Sequence, residues 1–152
     1  MSVRKYVKIE GPAIDSIPLI YKHKIPIQKT LLFWEGLKEG KIYATRCKKC
    51  GQVYFPPQAD CPNDMTSDME WIELPKNGVL EAFTKVYARP QGFDDIEPYM
   101  IGIATLTNGV RVMGWVEPPD EKCVKVGDEV ELITKNIKGR YLIILKVNKQ
   151  CA

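Results

Sequence analysis

The chain has 152 residues, of which 45% are apolar and 27% charged, and its formal net charge is +3 at pH 7. This composition is that of a globular protein and excludes a chain that is disordered over most of its length. No apolar run approaches the roughly 20 residues that span a bilayer. Arg4, Lys5 and Lys8 are not followed by the apolar segment of a signal peptide. We therefore expect a cytoplasmic protein without a membrane partner.

The first 40 residues predict short helical segments. Gly11, Pro12, Pro18 and Pro26 keep any helix before residue 27 short. From Ile27 to Glu39 the pattern becomes helical, with Thr30 as a candidate N-cap and Gly40 as the stop. Large apolar residues form one helical stripe in this segment: Leu31, Phe33, Trp34 and Leu37.

Residues 41–75 are predicted to form a small metal-binding ribbon. The chain has five cysteines, an odd number, and no secretory signal, so paired cysteines favour a metal over a disulfide. Cys47 and Cys50 have the spacing of a zinc knuckle, and Cys61 begins a second knuckle whose fourth position is Asp64. Cys123 and Cys151 lie outside the ribbon and are predicted to be a loop thiol and part of a frayed terminus, and not metal ligands.

Structural zinc bound by Cys47, Cys50, Cys61 and Asp64 is the interpretation that this spacing favours. Two alternatives stay open: water or an open position in place of Asp64, and a ribbon that folds without metal. Iron is less favoured, because an all-sulfur iron centre needs a fourth cysteine. Catalytic zinc would need a general base and an open position, and the sequence shows neither clearly.

Residues 76–152 are predicted to form five β-strands: 78–87, 99–106, 110–116, 129–135 and 141–147. Thr107-Asn108-Gly109 is a hairpin signal, and Pro118-Pro119 breaks the chain after the third strand. Strict alternation in the first strand would place Glu81, Phe83 and Lys85 on one face. The spacing favours a five-stranded Greek-key barrel of the OB type, although a partly open sandwich would give a similar pattern. The fold class is therefore mainly β.

No catalytic constellation is evident. The chain has one histidine, His23, and lacks a nucleophile elbow or a phosphate-binding glycine loop. OB barrels can also bind single-stranded nucleic acid through aromatic and basic side chains, and Tyr99, Arg111 and Trp115 could serve such a face. The small charge excess and the acidic pair Asp94-Asp95 make nucleic acid the weaker interpretation. The sequence thus predicts a protein that is not itself an enzyme.

Taken in order, the motifs resemble a known family. They are Phe33-Trp34-Glu35-Gly36-Leu37, Arg46-Cys47-Lys48-Lys49-Cys50-Gly51, Phe55-Pro56-Pro57, Cys61-Pro62, Glu70-Trp71, Asn77-Gly78-Val79-Leu80, Pro98-Tyr99 and Val126-Gly127-Asp128-Glu129-Val130. This arrangement resembles the domain-of-unknown-function 35 family, in which a rubredoxin-like zinc ribbon is joined to an OB-fold. The chain departs from the family at Asp64, where many members have cysteine, and that difference bears on metal affinity.

The resemblance implies a non-catalytic scaffold that partners thiolase-type enzymes in acyl-CoA and lipid metabolism. In archaea it implies a bridge between acetoacetyl-CoA thiolase and hydroxymethylglutaryl-CoA (HMG-CoA) synthase, on the mevalonate route to isoprenoids. The N-terminal segments and the helix with Phe33 and Trp34 would dock to the enzyme. The loop from Arg89 to Tyr99, with Phe93, would line the pantetheine arm of acyl-CoA. Lys85 or Arg89 would contact the CoA phosphates.

Overall fold

In the part of the N-terminal region that the structure describes, the helical structure consists of a 3₁₀ turn and a short α-helix. The computed structural model describes Pro12, residues 23–88, Phe93 and residues 96–149. A 3₁₀ turn, Gln28–Thr30, leads into helix α1, Leu31–Lys38, and Gly40 at φ +78° follows its end as predicted. Thr30 occupies the N-cap position, but its side chain caps no backbone amide. Its hydroxyl instead accepts a hydrogen bond from Trp34 Nε1 at 3.3 Å. Among the described residues, helix is therefore a smaller part of residues 1–40 than expected.

The ribbon is built on a three-stranded antiparallel sheet. Its strands are β1 (Tyr43–Cys47), β2 (Val53–Tyr54) and β3 (Met69–Glu73), in the order β2-β1-β3. Thr45 lies between Tyr54 on one side and Trp71 on the other. Its buried hydroxyl donates to the Gln58 carbonyl and accepts from the Gln58 amide, which ties the loop after β2 to the central strand.

The second sheet closes into a barrel of five strands. These are β4 (Asn77–Val86), β5 (Tyr99–Leu106), β6 (Arg111–Glu117), β7 (Glu129–Ile137) and β8 (Arg140–Val147). They follow the order β4-β5-β6-β8-β7, and β7 pairs back onto β4. Only the β6–β8 pair of this barrel is parallel. This is the predicted OB-type Greek-key barrel, and the closure excludes the partly open sandwich.

A β-bulge in β4 changes which residues face the core. The pairing with β5 shifts between Leu80 and Ala82, so that Leu80 is fully buried and Phe83 packs against the core. The prediction of strict alternation along this strand was therefore wrong. An extra residue in one strand reverses the facing of everything beyond it.

One hydrophobic cluster joins helix, ribbon and barrel. It contains Phe33 and Leu37 of α1, Ala44 of the ribbon, and buried barrel residues such as Leu80 and Met100. The three parts consequently hold one another in place.

Within the described residues, no helix is long and apolar enough to cross a membrane. Cys123 is disulfide-bonded, whereas a free loop thiol was predicted there.

Candidate metal centre and apolar groove

The first pair of candidate ligands lies on a tight turn at the end of β1. Cys47 is the last residue of β1 and is buried, and Cys50 at the tip of the turn is exposed. The Gly51 amide donates to the Cys47 carbonyl at 2.9 Å. Gly51 has φ +76°, a conformation that glycine adopts without a steric penalty. The turn thereby directs both sulfur atoms to the same side.

The second pair lies on the loop before β3. The Cys61 amide donates to the Thr66 carbonyl at 2.8 Å, which closes the loop around Asp64. Asp64 Oδ2 lies 3.3 Å from Cys47 Sγ and 3.8 Å from Cys61 Sγ. Asp64 Oδ1 lies 3.7 Å from the Lys49 ammonium. Asp64 thus offers one oxygen to the sulfur cluster and turns the other towards Lys49.

The four donor atoms fit a tetrahedral zinc ion. Zn–S bonds of about 2.3 Å and Zn–O bonds of about 2.0 Å give tetrahedral edges of roughly 3.8 Å between sulfurs and 3.5 Å between sulfur and oxygen. The sulfurs of Cys50 and Cys61 are 3.7 Å apart, and all four ligand atoms lie within 4.8 Å of one another. The predicted group of Cys47, Cys50, Cys61 and Asp64 is therefore confirmed as a cluster positioned to bind a metal ion.

The ionisable groups of this cluster perturb one another. Hydrogen bonding with Asp64 raises the pKa of the Cys50 thiol to about 12 and lowers the pKa of Asp64 itself. Burial opposes ionisation of Cys61, but hydrogen bonds from the Tyr54 hydroxyl and from two backbone amides outweigh it and lower its pKa to about 7. Three thiolates and a carboxylate would carry four negative charges at close range. A divalent cation that displaces the thiol protons is what makes such a cluster stable.

An apolar groove lies where helix, ribbon and barrel meet. Its volume is about 620 Å³, within the range of small-molecule sites. Its walls come from α1, from the loop after β2, and from β5, β6 and β8. They are lined by Thr30, Phe33, Trp34, Leu37, Phe55, Pro56, Pro57, Ile101, Ile103, Arg111, Val112, Met113, Gly114, Trp115, Tyr141, Leu142 and Ile143. Trp34 is 45% exposed, Ile103 40% and Met113 65%.

A row of three aromatic rings extends from this groove. Trp115, which lines the groove, stacks on Tyr99 with ring centres 4.3 Å apart and an angle of 8° between the planes. Phe93 lies beyond Tyr99, with its ring centre 5.9 Å away. The Phe93–Tyr99 pair that the resemblance implied as a wall for acyl-CoA is thus contiguous with the groove.

The resemblance implied Lys85 or Arg89 as the contact for the CoA phosphates, and the structure describes only Lys85. Lys85 pairs with the buried Met100, whereas Tyr99 pairs with Val86. Since directly paired residues share a face, Lys85 and Tyr99 are on opposite faces of the β4–β5 sheet. The Lys85 ammonium lies 5.4 Å from the centre of the Tyr87 ring. Arg89 is outside the described residues.

Sequence reasoning named only one wall of the groove, the helix with Phe33 and Trp34, as a docking element. Phe55, Pro56 and Pro57 were noted only as a motif of the family resemblance, and Met113 was not singled out. An outward apolar residue such as Met113, in a strand whose alternate residues are buried, was the available signal.

Family models and known proteins share this architecture. Residues 34–70 match the family model described as "ChsH2, rubredoxin-like zinc ribbon domain". Residues 71–135 match the model described as "ChsH2, C-terminal OB-fold domain". A DUF35 domain-containing scaffold protein of Methanocaldococcus jannaschii is 33% identical over 107 residues, covering 69% of this chain and 76% of the relative. The benzoylsuccinyl-CoA thiolase subunit BbsA of Thauera aromatica is 33% identical over 110 residues, covering 68% and 73%.

A solved structure shows the same fold. A chain of the Ltp2-ChsH2(DUF35) aldolase superposes with a TM-score of 0.69 at 19% identity, over 83% of this chain and 98% of the other. Because the two family models together match residues 34–135 and the archaeal scaffold protein aligns over most of its own length, this chain belongs to the DUF35 family of zinc-ribbon and OB-fold proteins.

Proposed function

We propose that this chain is a non-catalytic accessory subunit of a thiolase-type enzyme that handles acyl-CoA. The observation that carries the proposal is its relationship, at 33% identity in each case, to a DUF35 scaffold protein and to a subunit of benzoylsuccinyl-CoA thiolase. Zinc has a structural role in this proposal, because three of its four candidate ligands are thiolates and the fourth is a carboxylate, which together close the coordination shell.

The apolar groove is the proposed docking surface for the thiolase-type partner. Large apolar side chains that remain partly exposed around one concave surface are typical of protein interfaces. Trp34 and Met113 both line the groove and come from different elements, α1 and β6. An apolar segment of the enzyme could therefore bury both residues together. Aromatic and methionine side chains are also enriched at such interfaces.

The aromatic row is the proposed contact for acyl-CoA within the complex. Tyr99 and Phe93 would pack against the pantetheine arm at the end of the groove, where Trp115 connects the two surfaces. In this proposal Tyr99→Ala raises the KM of the complex for acyl-CoA and leaves the amount of bound enzyme unchanged. The predicted phosphate contacts of Lys85 and Arg89 are separate proposals, and Lys85→Met tests the first of them by the same KM measurement.

The finer assignment concerns the identity of the enzymes. We propose acetoacetyl-CoA thiolase as the partner, together with HMG-CoA synthase, so that the subunit would keep acetoacetyl-CoA close to the enzyme that consumes it. The family resemblance supports this assignment. A complex that contains a thiolase but no HMG-CoA synthase would contradict the second partner and leave the accessory role in place.

The experiment that tests the accessory role is an activity measurement with acetoacetyl-CoA and free CoA. We expect the purified zinc-loaded chain to cleave no acetoacetyl-CoA, and the thiolase isolated with it to be more active with the chain than without it. Thiolytic activity of the chain alone would show that it is an enzyme. A thiolase whose kcat and KM are the same with and without the chain would contradict an accessory role.

A further inference from the structure

We propose that Tyr54 is a positioning residue of the metal centre, holding the Cys61 thiolate as a ligand through a hydrogen bond from its hydroxyl. Tyr54 Oη lies 3.2 Å from Cys61 Sγ. A phenol is a hydrogen-bond donor and a thiolate an acceptor, so in the metal-bound form the direction of this bond is from Tyr54 to Cys61. This inference concerns the metal centre and is independent of the proposed partner enzyme.

The ribbon sheet fixes the tyrosine in place. Tyr54 is in β2, where it pairs with Thr45 of the central strand. The Cys47 amide donates to the Gln52 carbonyl at 2.9 Å, which anchors the start of the return strand. The same short hairpin therefore carries two metal ligands at its turn and the Tyr54 hydroxyl on its return strand. Backbone pairing within the hairpin therefore helps to fix the position of the Tyr54 hydroxyl relative to these ligands.

Burial explains why Cys61 needs this partner. Cys61 is 1% exposed, so water has little access to its sulfur. A buried anion without a hydrogen bond is costly, and the Tyr54 hydroxyl provides a hydrogen bond in place of water. Cys50 is exposed and can be hydrated directly. The sulfurs of Cys50 and Cys61 are 3.7 Å apart, but water can stabilise the first and the Tyr54 hydroxyl stabilises the second.

A residue that is hydrogen-bonded to a metal ligand, here called its outer partner, affects metal binding without contacting the metal. Groups of this kind fix the orientation of the ligand and stabilise it where water cannot, and their loss typically weakens metal binding 10- to 100-fold. Tyr54→Phe removes the hydroxyl and keeps the ring. We therefore expect it to lower zinc affinity by about 10-fold or more. Tyr43→Phe is the matched control, because Tyr43 is in the same sheet and its ring packs against Trp71 instead.

The test uses the 152-residue chain and two readouts. Competition with a chromophoric chelator gives zinc affinity, and the sulfur-to-metal charge-transfer band of the Co²⁺-loaded protein reports on the thiolates. We expect Tyr54→Phe to bind zinc more weakly and to shift the cobalt band to longer wavelength, because a thiolate without its hydrogen bond is a better electron donor. Tyr43→Phe should change neither. Unchanged affinity and an unshifted band in Tyr54→Phe, with a wild-type circular dichroism spectrum, would overturn the proposal.

Discussion

Asp64 is the residue on which the character of the metal centre depends. Its side chain is only 18% exposed, and it stands where a fourth thiolate would complete a four-cysteine site. A carboxylate oxygen is a harder donor than sulfur, so it suits zinc and disfavours the all-sulfur coordination of a rubredoxin-type iron centre. An aspartate at this position therefore favours zinc over iron in the ribbon.

Removing this carboxylate tests its role as a ligand. We expect Asp64→Ala to weaken zinc binding by more than about 100-fold, since it removes a ligand and outer partners alone account for 10- to 100-fold. Asp64→Cys should bind zinc more tightly than the wild type and should also accept iron with a red colour. Chelator competition and absorption spectra measure both effects. The control is Asp68→Asn, since Asp68 pairs with Lys48 outside the cluster. Wild-type affinity in Asp64→Ala would mean that water fills the position.

Asp128 makes the stability of the barrel depend on pH. Its carboxylate accepts a hydrogen bond from the Lys125 amide at 2.9 Å and pairs with Lys149 at 3.3 Å. The Lys125 hydrogen bond, with help from Lys149, lowers the pKa of Asp128. A carboxyl whose pKa is lower in the folded chain stabilises the fold above its unfolded pKa of about 3.9, and this contribution disappears as pH falls through the folded pKa.

Urea unfolding measures this contribution. We expect Asp128→Asn to be less stable than the wild type at pH 7 and the difference to shrink as the pH is lowered below about 4. Because both proteins carry the same metal centre, its own acid sensitivity cancels in the difference. A gap between the two proteins that stayed constant from pH 7 to pH 3 would show that Asp128 acts through packing and not through its charge.

At the scale of elements, the strand pair β4–β5 shows how closely the barrel is packed. Gly102 pairs with Phe83 beside the bulge of β4. A Cβ atom at this position would lie 2.7 Å from Val116 Cγ2 and 2.9 Å from the Ala82 carbonyl oxygen. The second contact is with backbone and cannot relax by a side-chain rotation.

We accordingly expect Gly102→Ala to destabilise the fold by about 1–3 kcal/mol, as overpacking of a core usually does. Urea unfolding gives the value. Thr84→Ala is the control, because Thr84 is exposed and belongs to the same strand pair. Equal stability of the Gly102→Ala and Thr84→Ala variants would show that the strands do not approach as closely at Gly102 as the structure indicates.

Local sequence patterns predicted the positions of the strands well, but they predicted less well which face of the sheet each side chain occupies. Most strand ends were within one or two residues, because glycine, proline and asparagine mark the turns and side chains alternate between them. The four candidate metal ligands, which the structure brings together, were predicted from spacing along two short turns. The bulge between Leu80 and Ala82 has no such local signal, and it reverses the facing of the later part of β4, which includes Lys85. The groove depends on α1 packing beside the barrel, a long-range contact that spacing along the chain does not encode.

At the scale of the whole molecule, the groove joins all three parts of the chain into one surface. If the groove binds the proposed thiolase-type partner, we expect Met113→Glu to weaken that binding at least 10-fold, because a buried interface charge without a partner is strongly unfavourable. Val126→Glu is a matched control: Val126 is 64% exposed against 65% for Met113, and it does not line the groove. Titration calorimetry with the purified thiolase measures both. Equal loss of affinity in the two variants would place the interface outside the groove.

The most direct test of the accessory role is quantitative affinity capture of the tagged chain from its native cells at low salt, followed by mass spectrometry. We predict that a thiolase is recovered in near-equal amount with the wild type and with Val126→Glu, and is lost with Met113→Glu. HMG-CoA synthase in the same complex would support the finer assignment. Recovery of nucleic acid with its processing proteins, and of no thiolase, would contradict the account and favour a single-stranded nucleic-acid-binding protein.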